Sequence, residues 1–182
     1  MLTHLYQEPC NLAIWQRQLS PELRGYVQAL ARQPKGLSLR CVLGLEDVNG
    51  ELQRKLPIHP GRDCLIADIE LLVDMFSCLF EQRRVGLRLE WLTRAMCPKF
   101  HVDHLPCRLV TTYLGRTTHW ISHEQRQREP GNESDFQQLA EGDVALLKGE
   151  GWFNNEGRGI LHRSPDVAGT PGRLFLSLDT ID

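Results

Sequence analysis

The chain has 182 residues, 41% of them hydrophobic and 24% charged, and a formal net charge of −2. That length suits one domain, residues 1–182, with a real core, and the near-neutral balance offers no broad footprint for nucleic acid or an anionic membrane. No apolar run approaches the roughly 18 residues of a membrane span, and the first residues lack the basic start and apolar stretch of a secretory leader, so a cytoplasmic protein is expected. Six cysteines, at 10, 41, 64, 78, 97 and 107, are scattered without a Cys-x-x-Cys pair and read as free thiols.

Residues 1–84 read as a helical and hairpin lead-in. Ser20-Pro21-Glu22 has the cap, the first-turn proline and the acidic residue of a helix start, and Leu23, Tyr26, Val27 and Leu30 follow at helical spacing. Residues 37–45 read as a strand, with Asn49-Gly50 as a hairpin turn into a second strand over 51–56. Leu65, Ile69, Leu72, Phe76 and Leu79 mark one face of a long helix over 63–82. From 85 onward the chain reads as β-structure. Val85, Leu87, Leu89 and Trp91 alternate with Gly86, Arg88 and Glu90. Further strands are expected over 108–114, 144–148, 159–162 and 173–178, with a polar surface loop over 122–138. Short strands at this spacing predict an α+β fold: a double-sheet jelly roll over 85–182 with N-terminal and flanking helices packed on the sheet. An antiparallel sandwich of another kind fits the same pattern.

His101-Val102-Asp103, followed late in the chain by His162, carries the chemistry. Two histidines and a carboxylate can hold three adjacent corners of a metal and leave the others open, the arrangement of non-haem Fe(II) oxygenases. On a strand His101 and Asp103 would project to the same side. Taken alone, the pair also fits a hydrogen-bonded turn before Pro106. A third reading gathers Cys97, His101, His104 and Cys107 into a structural zinc site, although Cys-x3-His-x5-Cys matches no common zinc spacing.

The order of these features resembles the Fe(II)/2-oxoglutarate-dependent dioxygenase superfamily, whose double-stranded β-helix (cupin-like) carries His-x-Asp early and a second histidine late. The resemblance covers roughly residues 97–180. It implies that His101, Asp103 and His162 are iron ligands and catalytic residues. It also implies that Arg173, eleven positions after His162, pairs with the far carboxylate of 2-oxoglutarate. Tyr113 matches a tyrosine that touches the cosubstrate in prolyl-hydroxylase-like members. No Gly-Gly-Glu motif follows the strand, and Arg173 is followed by Leu174 and Phe175 instead of x-Ser. The phrases Cys97-Pro-Lys-Phe-His-Val-Asp103, Ala145-Leu-Leu-Lys-Gly-Glu-Gly-Trp152, Asn155-Glu-Gly-Arg-Gly159 and His162-Arg-Ser-Pro165 further resemble the bacterial family known as domain of unknown function 1826. That resemblance implies a possible role in metal homeostasis. The alternative to an oxygenase is therefore a non-enzymatic accessory protein binding Zn2+ through the same residues.

Around the ligands, Trp152, Asn155 and Arg158 are expected on a glycine-bearing hairpin at the cavity mouth, facing substrate, with Cys97 in the pocket wall. His119 reads as a surface histidine or a hydrogen-bond donor behind the ligands. Arg163, next to His162, is expected on the opposite strand face. The substrate, a small molecule or a peptide, is not specified by these residues.

Overall fold

In the computed structural model, residues 2–33 and 36–181 are described. A 3-10 turn at Leu2–Tyr6 leads to β1 (Leu12–Trp15), α1 (Pro21–Leu30), β2 (Ser38–Leu43), α2 (Leu45–Lys55), α3 (Arg62–Phe80) and β3 (Val85–Leu92). Then come β4 (Cys107–Leu114), β5 (His119–Ile121), α4 (His123–Arg128), β6 (Gln137–Gln138), β7 (Val144–Lys148), β8 (Leu161–Arg163) and β9 (Arg173–Asp179). The start of α1 is as its sequence predicts: Pro21 opens the first turn and the Ser20 side chain accepts the Leu23 N–H at 3.2 Å.

Residues 45–55 correct the expected hairpin. They form a helix, not a turn and a strand, because Val48, Leu52 and Leu56 recur every four residues and are all buried. Glu46 and Asp47 occupy the first turn, and Arg54 and Lys55 the last, the distribution a helix dipole favours. Asn49-Gly50, a strong hairpin signal locally, lies mid-helix because burying this stripe outweighs the cost of one glycine, about 1 kcal/mol. The expected loop at 122–138 contains α4, capped by Ser122, and the short β6.

Both sheets are antiparallel. The large one has the strand order β1-β7-β4-β9-β3-β2, the small one β6-β5-β8. The lead-in supplies both edge strands of the large sheet, so residue 84 does not divide the sheet. On one face Leu87, Leu89, Leu109, Leu146, Leu174, Leu176 and Leu178 share a core with Leu23, Val27, Leu52, Leu65, Ile69 and Phe76 of α1, α2 and α3. The other face carries Val110, Ala145, Leu147 and Phe175, against which Trp120 of the small sheet packs. The period of two along each strand makes this division. It also sends Arg108 and Thr112 of β4, and Arg173 and Ser177 of β9, to the face away from the helices.

Tyr113 is corrected by the same alternation. At a bulge in β4, Thr112 opposes Phe175 and Leu114 opposes Leu174, so Tyr113 is the extra residue. Its ring lies in the helix-side core, and its hydroxyl donates to Asp68 Oδ2 of α3 at 2.7 Å. Burial pushes the phenol well above its ordinary pKa. Asp68 is also held by both terminal nitrogens of Arg17, so the group ties β4 and α3 to the segment before α1. The ring therefore lies across the sheet from the residues that the resemblance would have it join. Tyr113→Phe is expected to destabilise the fold by about 1.5–3 kcal/mol, the range for a hydrogen bond to a charged group, with urea denaturation as the measurement. Cys107 is buried and its thiol is raised by desolvation, whereas Cys64, Cys78 and Cys97 are exposed. Iodoacetamide on the native protein should label those three and spare Cys107, read by peptide mass spectrometry.

Candidate active site

His101 and His162 are joined through their backbones. The N–H of each donates to the carbonyl of the other at 3.0 Å, an isolated antiparallel bridge that sets the rings 4.5 Å apart. His162 sits on β8, while His101 precedes the loop that carries Asp103 toward β4. His101 Nδ1 lies 3.1 Å from the Lys99 carbonyl and His162 Nδ1 lies 3.1 Å from the Ile160 carbonyl. A carbonyl only accepts, so each Nδ1 carries the proton and each Nε2 keeps its lone pair. Those Nε2 atoms point toward one carboxylate: His101 Nε2 is 3.8 Å from Asp103 Oδ1 and His162 Nε2 is 3.5 Å from Asp103 Oδ2. One ligand atom from each residue lies within 4.8 Å of the others, a span that a small divalent ion can close. Burial lowers the His162 pKa, which favours the neutral, ligating form.

Asp103 is oriented from behind. Arg108 Nη1 lies 2.9 Å from both its carboxylate oxygens, and the same guanidinium bridges to Asp179 on β9, with Nε to Oδ1 at 2.6 Å. The Asp103 carbonyl accepts the Glu150 N–H at 2.9 Å. Gly149 permits that approach, since a Cβ there would lie 2.0 Å from the Leu105 carbonyl oxygen and 2.6 Å from that of Asp103. Gly149 therefore packs the start of the 149–159 segment directly on the ligand loop.

Arg173 is 1% exposed, yet no carboxylate lies within 4.0 Å of it among the described residues. Its fork donates only to hydroxyls: Nε and Nη2 to Thr112 Oγ1 at 3.2 and 2.9 Å, Nη2 to Thr118 Oγ1 at 2.8 Å, and Nη1 to Ser164 Oγ at 3.2 Å. The guanidinium also lies 4.3 Å over the Phe175 ring. Desolvation alone pulls its pKa down to about 9, the mark of a buried cation without a counter-ion. Such a group costs stability unless an anion completes it.

His101, His162 and Arg173 open on one small cavity of about 40 Å3, whose wall includes Cys97, Ser164, Arg88, Arg108 and Arg163. Arg163 reaches this wall despite the opposite face expected for it. Cys97 lies there too, as its sequence position suggests. The other expected wall residues do not. Trp152 packs on Tyr6 and Phe80, Asn155 is buried and donates to the Gly149 carbonyl at 2.8 Å, and Arg158 pairs with Glu8 at 3.0 Å. Trp152 and Arg158 thus tie the 149–159 segment to the N-terminal turn and α3, while its first residues pack on the ligand loop. The Cys97, His101, His104 and Cys107 set is not gathered either, since Cys107 faces the helix-side core and His104 is exposed. His119 accepts from Arg163 Nε at 3.3 Å and stacks on Phe136. Sequence reasoning did not single out Arg108, Thr112, Thr118 or Ser164; alternation along β4 and β9 held the signal for Thr112 and Arg108.

The fold is similar to the rice dioxygenase for auxin oxidation, with a TM-score of 0.55 and 13% identity over 94% of this chain and 73% of that one. It is also similar to dioxygenase for auxin oxidation 1 of Arabidopsis thaliana, solved in a binary complex with 2-oxoglutarate, with a TM-score of 0.53 and 11% identity. That match covers 80% of this chain and 62% of the other, so this chain spans less than two thirds of that protein. Likeness at these identities is a statement about fold. No curated protein matches the chain. Residues 1–179 match the family model described as "Protein of unknown function (DUF1826)", and the chain therefore belongs to the DUF1826 family.

Proposed function

We propose that this protein is an Fe(II)- and 2-oxoglutarate-dependent oxygenase built as a single double-stranded β-helix domain. The observation that carries the reading is one cavity lined by His101, His162 and a buried Arg173 that has no carboxylate within 4.0 Å among the described residues, with Asp103 beside the two histidines completing a three-residue donor set. The residues fit both groups. Two imidazoles with free Nε2 atoms and one carboxylate can form three adjacent corners for a divalent metal. Arg173 offers a rigid fork that suits a carboxylate bidentately, with Thr112, Thr118 and Ser164 holding it in place. When bound, iron and 2-oxoglutarate would supply dioxygen activation coupled to oxidative decarboxylation of the cosubstrate to succinate.

The chain's own contribution is orientation. The Lys99 and Ile160 carbonyls fix the tautomer and aim of the two rings. Arg108 fixes Asp103, and the helix-side core keeps β4 and β9 in register. Imidazole and carboxylate also accept Zn2+, but a site that only stored metal would leave Arg173 without a task, which favours the oxygenase over the accessory reading.

Two variants separate the parts. Asp103→Ala should weaken Fe(II) binding at least tenfold in anaerobic calorimetry; unchanged affinity would reject the ligand set. Arg173→Gln should leave metal affinity within threefold and weaken 2-oxoglutarate about a hundredfold, equivalent to roughly 3 kcal/mol. Equal cosubstrate affinity in variant and parent would overturn the role of Arg173.

A further inference from the structure

The cavity wall holds more positive charge than a metal and one dicarboxylate would need. Four arginines reach it: Arg88 from β3, Arg108 from β4, Arg163 from β8 and Arg173 from β9. Only Arg108 has carboxylate partners, Asp103 and Asp179. Among the described residues no carboxylate lies within 4.0 Å of Arg88, Arg163 or Arg173. Glu90, the next residue on the same side of β3 as Arg88, is engaged by Arg40 at 2.6 Å and Ser38 at 3.2 Å. Two carboxylates against four guanidiniums leave two positive charges. A divalent metal would raise this to four, and a 2-oxoglutarate dianion would bring it back only to two.

The two surplus arginines are held in ways that leave charge available. Arg88 makes one weak contact, Nη1 to Met96 Sδ at 3.4 Å. Arg163 is placed between aromatic rings, 4.3 Å from Phe100 and 4.9 Å from Phe136, with Nε on His119 Nδ1. Both are partly exposed, whereas Arg173 is sealed, so they stand nearer to solvent than the residue assigned to the cosubstrate. His119 reports the same field: its pKa is lowered by burial and then by Arg163, Arg173 and Arg116.

We infer that the substrate oxidised at this site is an anion, carrying a carboxylate or a phosphate that Arg88 and Arg163 bind while Arg173 holds 2-oxoglutarate. The inference rests on the oxygenase reading and gives it a substrate class. A guanidinium pair recognises planar carboxylates and phosphates alike, so the two sources share one chemistry and need separate probes.

The test uses the full chain loaded anaerobically with Mn2+ and saturated with 2-oxoglutarate, titrated with inorganic phosphate and, separately, with acetate. At least one probe should bind without displacing 2-oxoglutarate, and which one identifies the acid. Arg88→Gln should weaken that probe at least tenfold with 2-oxoglutarate affinity within threefold, and Arg88→Lys should restore part of the loss. Arg88 makes little structural contact, so its variants keep the test open if Arg163→Gln disturbs the aromatic stack. Equal probe binding by parent and Arg88→Gln, or a probe displaced by 2-oxoglutarate and lost only in Arg173→Gln, overturns the inference. Failure of 2-oxoglutarate itself to bind the parent would instead sink the oxygenase reading. The phosphate and acetate titrations on Mn2+-loaded protein would then still decide whether Arg88 forms an anion site.

Discussion

The period-two alternation of β4 and β9 is the constraint on which the rest of the molecule depends. These central strands give every second side chain to the helices, and Leu109, Leu174, Leu176 and Leu178 there join the apolar core. The side chains between them, Arg108, Thr112, Arg173 and Ser177, cannot then avoid the opposite face. A slip of one residue would place Arg173 among the leucines of the helix side, so the register that builds the core also assembles the cavity. The bulge at Tyr113 respects this division, since both Tyr113 and Leu114 lie with the helices.

Electrostatics gives the cavity its character. Asp103 and Asp179 share one arginine, whereas Arg173 is buried against hydroxyls and an aromatic ring. Hydroxyls satisfy the N–H donors but leave the positive charge uncompensated. The cavity thus sets carboxylate and imidazole on one side against a guanidinium on the other that, among the described residues, has no carboxylate within 4.0 Å. Its precision comes from backbone, with two carbonyls fixing the histidine tautomers and a reciprocal bridge fixing their separation.

Part of this was legible in the residues. The α1 cap, the long helix α3 and most strands follow from spacing and turn residues within a few positions. The α2 helix was not, because Asn49-Gly50 is a strong local turn signal while the burial of Val48 and Leu52 depends on α3 and the sheet beneath. The donor set could be named from His101-Val-Asp103 and a late histidine, but not its closeness, which requires the bridge between chain positions 61 residues apart. Trp152, Asn155 and Arg158 looked like a cavity rim because glycines surround them. The packing of Gly149 against the Asp103 and Leu105 carbonyls gives that glycine a different task, which only the folded chain reveals.

Local sequence thus determined the apolar stripe of the long helix α3, where the first helix begins, and which residue types could hold a metal, because each depends on neighbours within a few positions. The tertiary structure alone decided which charges are left without partners. Whether Arg173, Arg88 or Arg163 meets a carboxylate depends on side chains far away in sequence, and burial sets how strongly each unpaired charge calls for an anion.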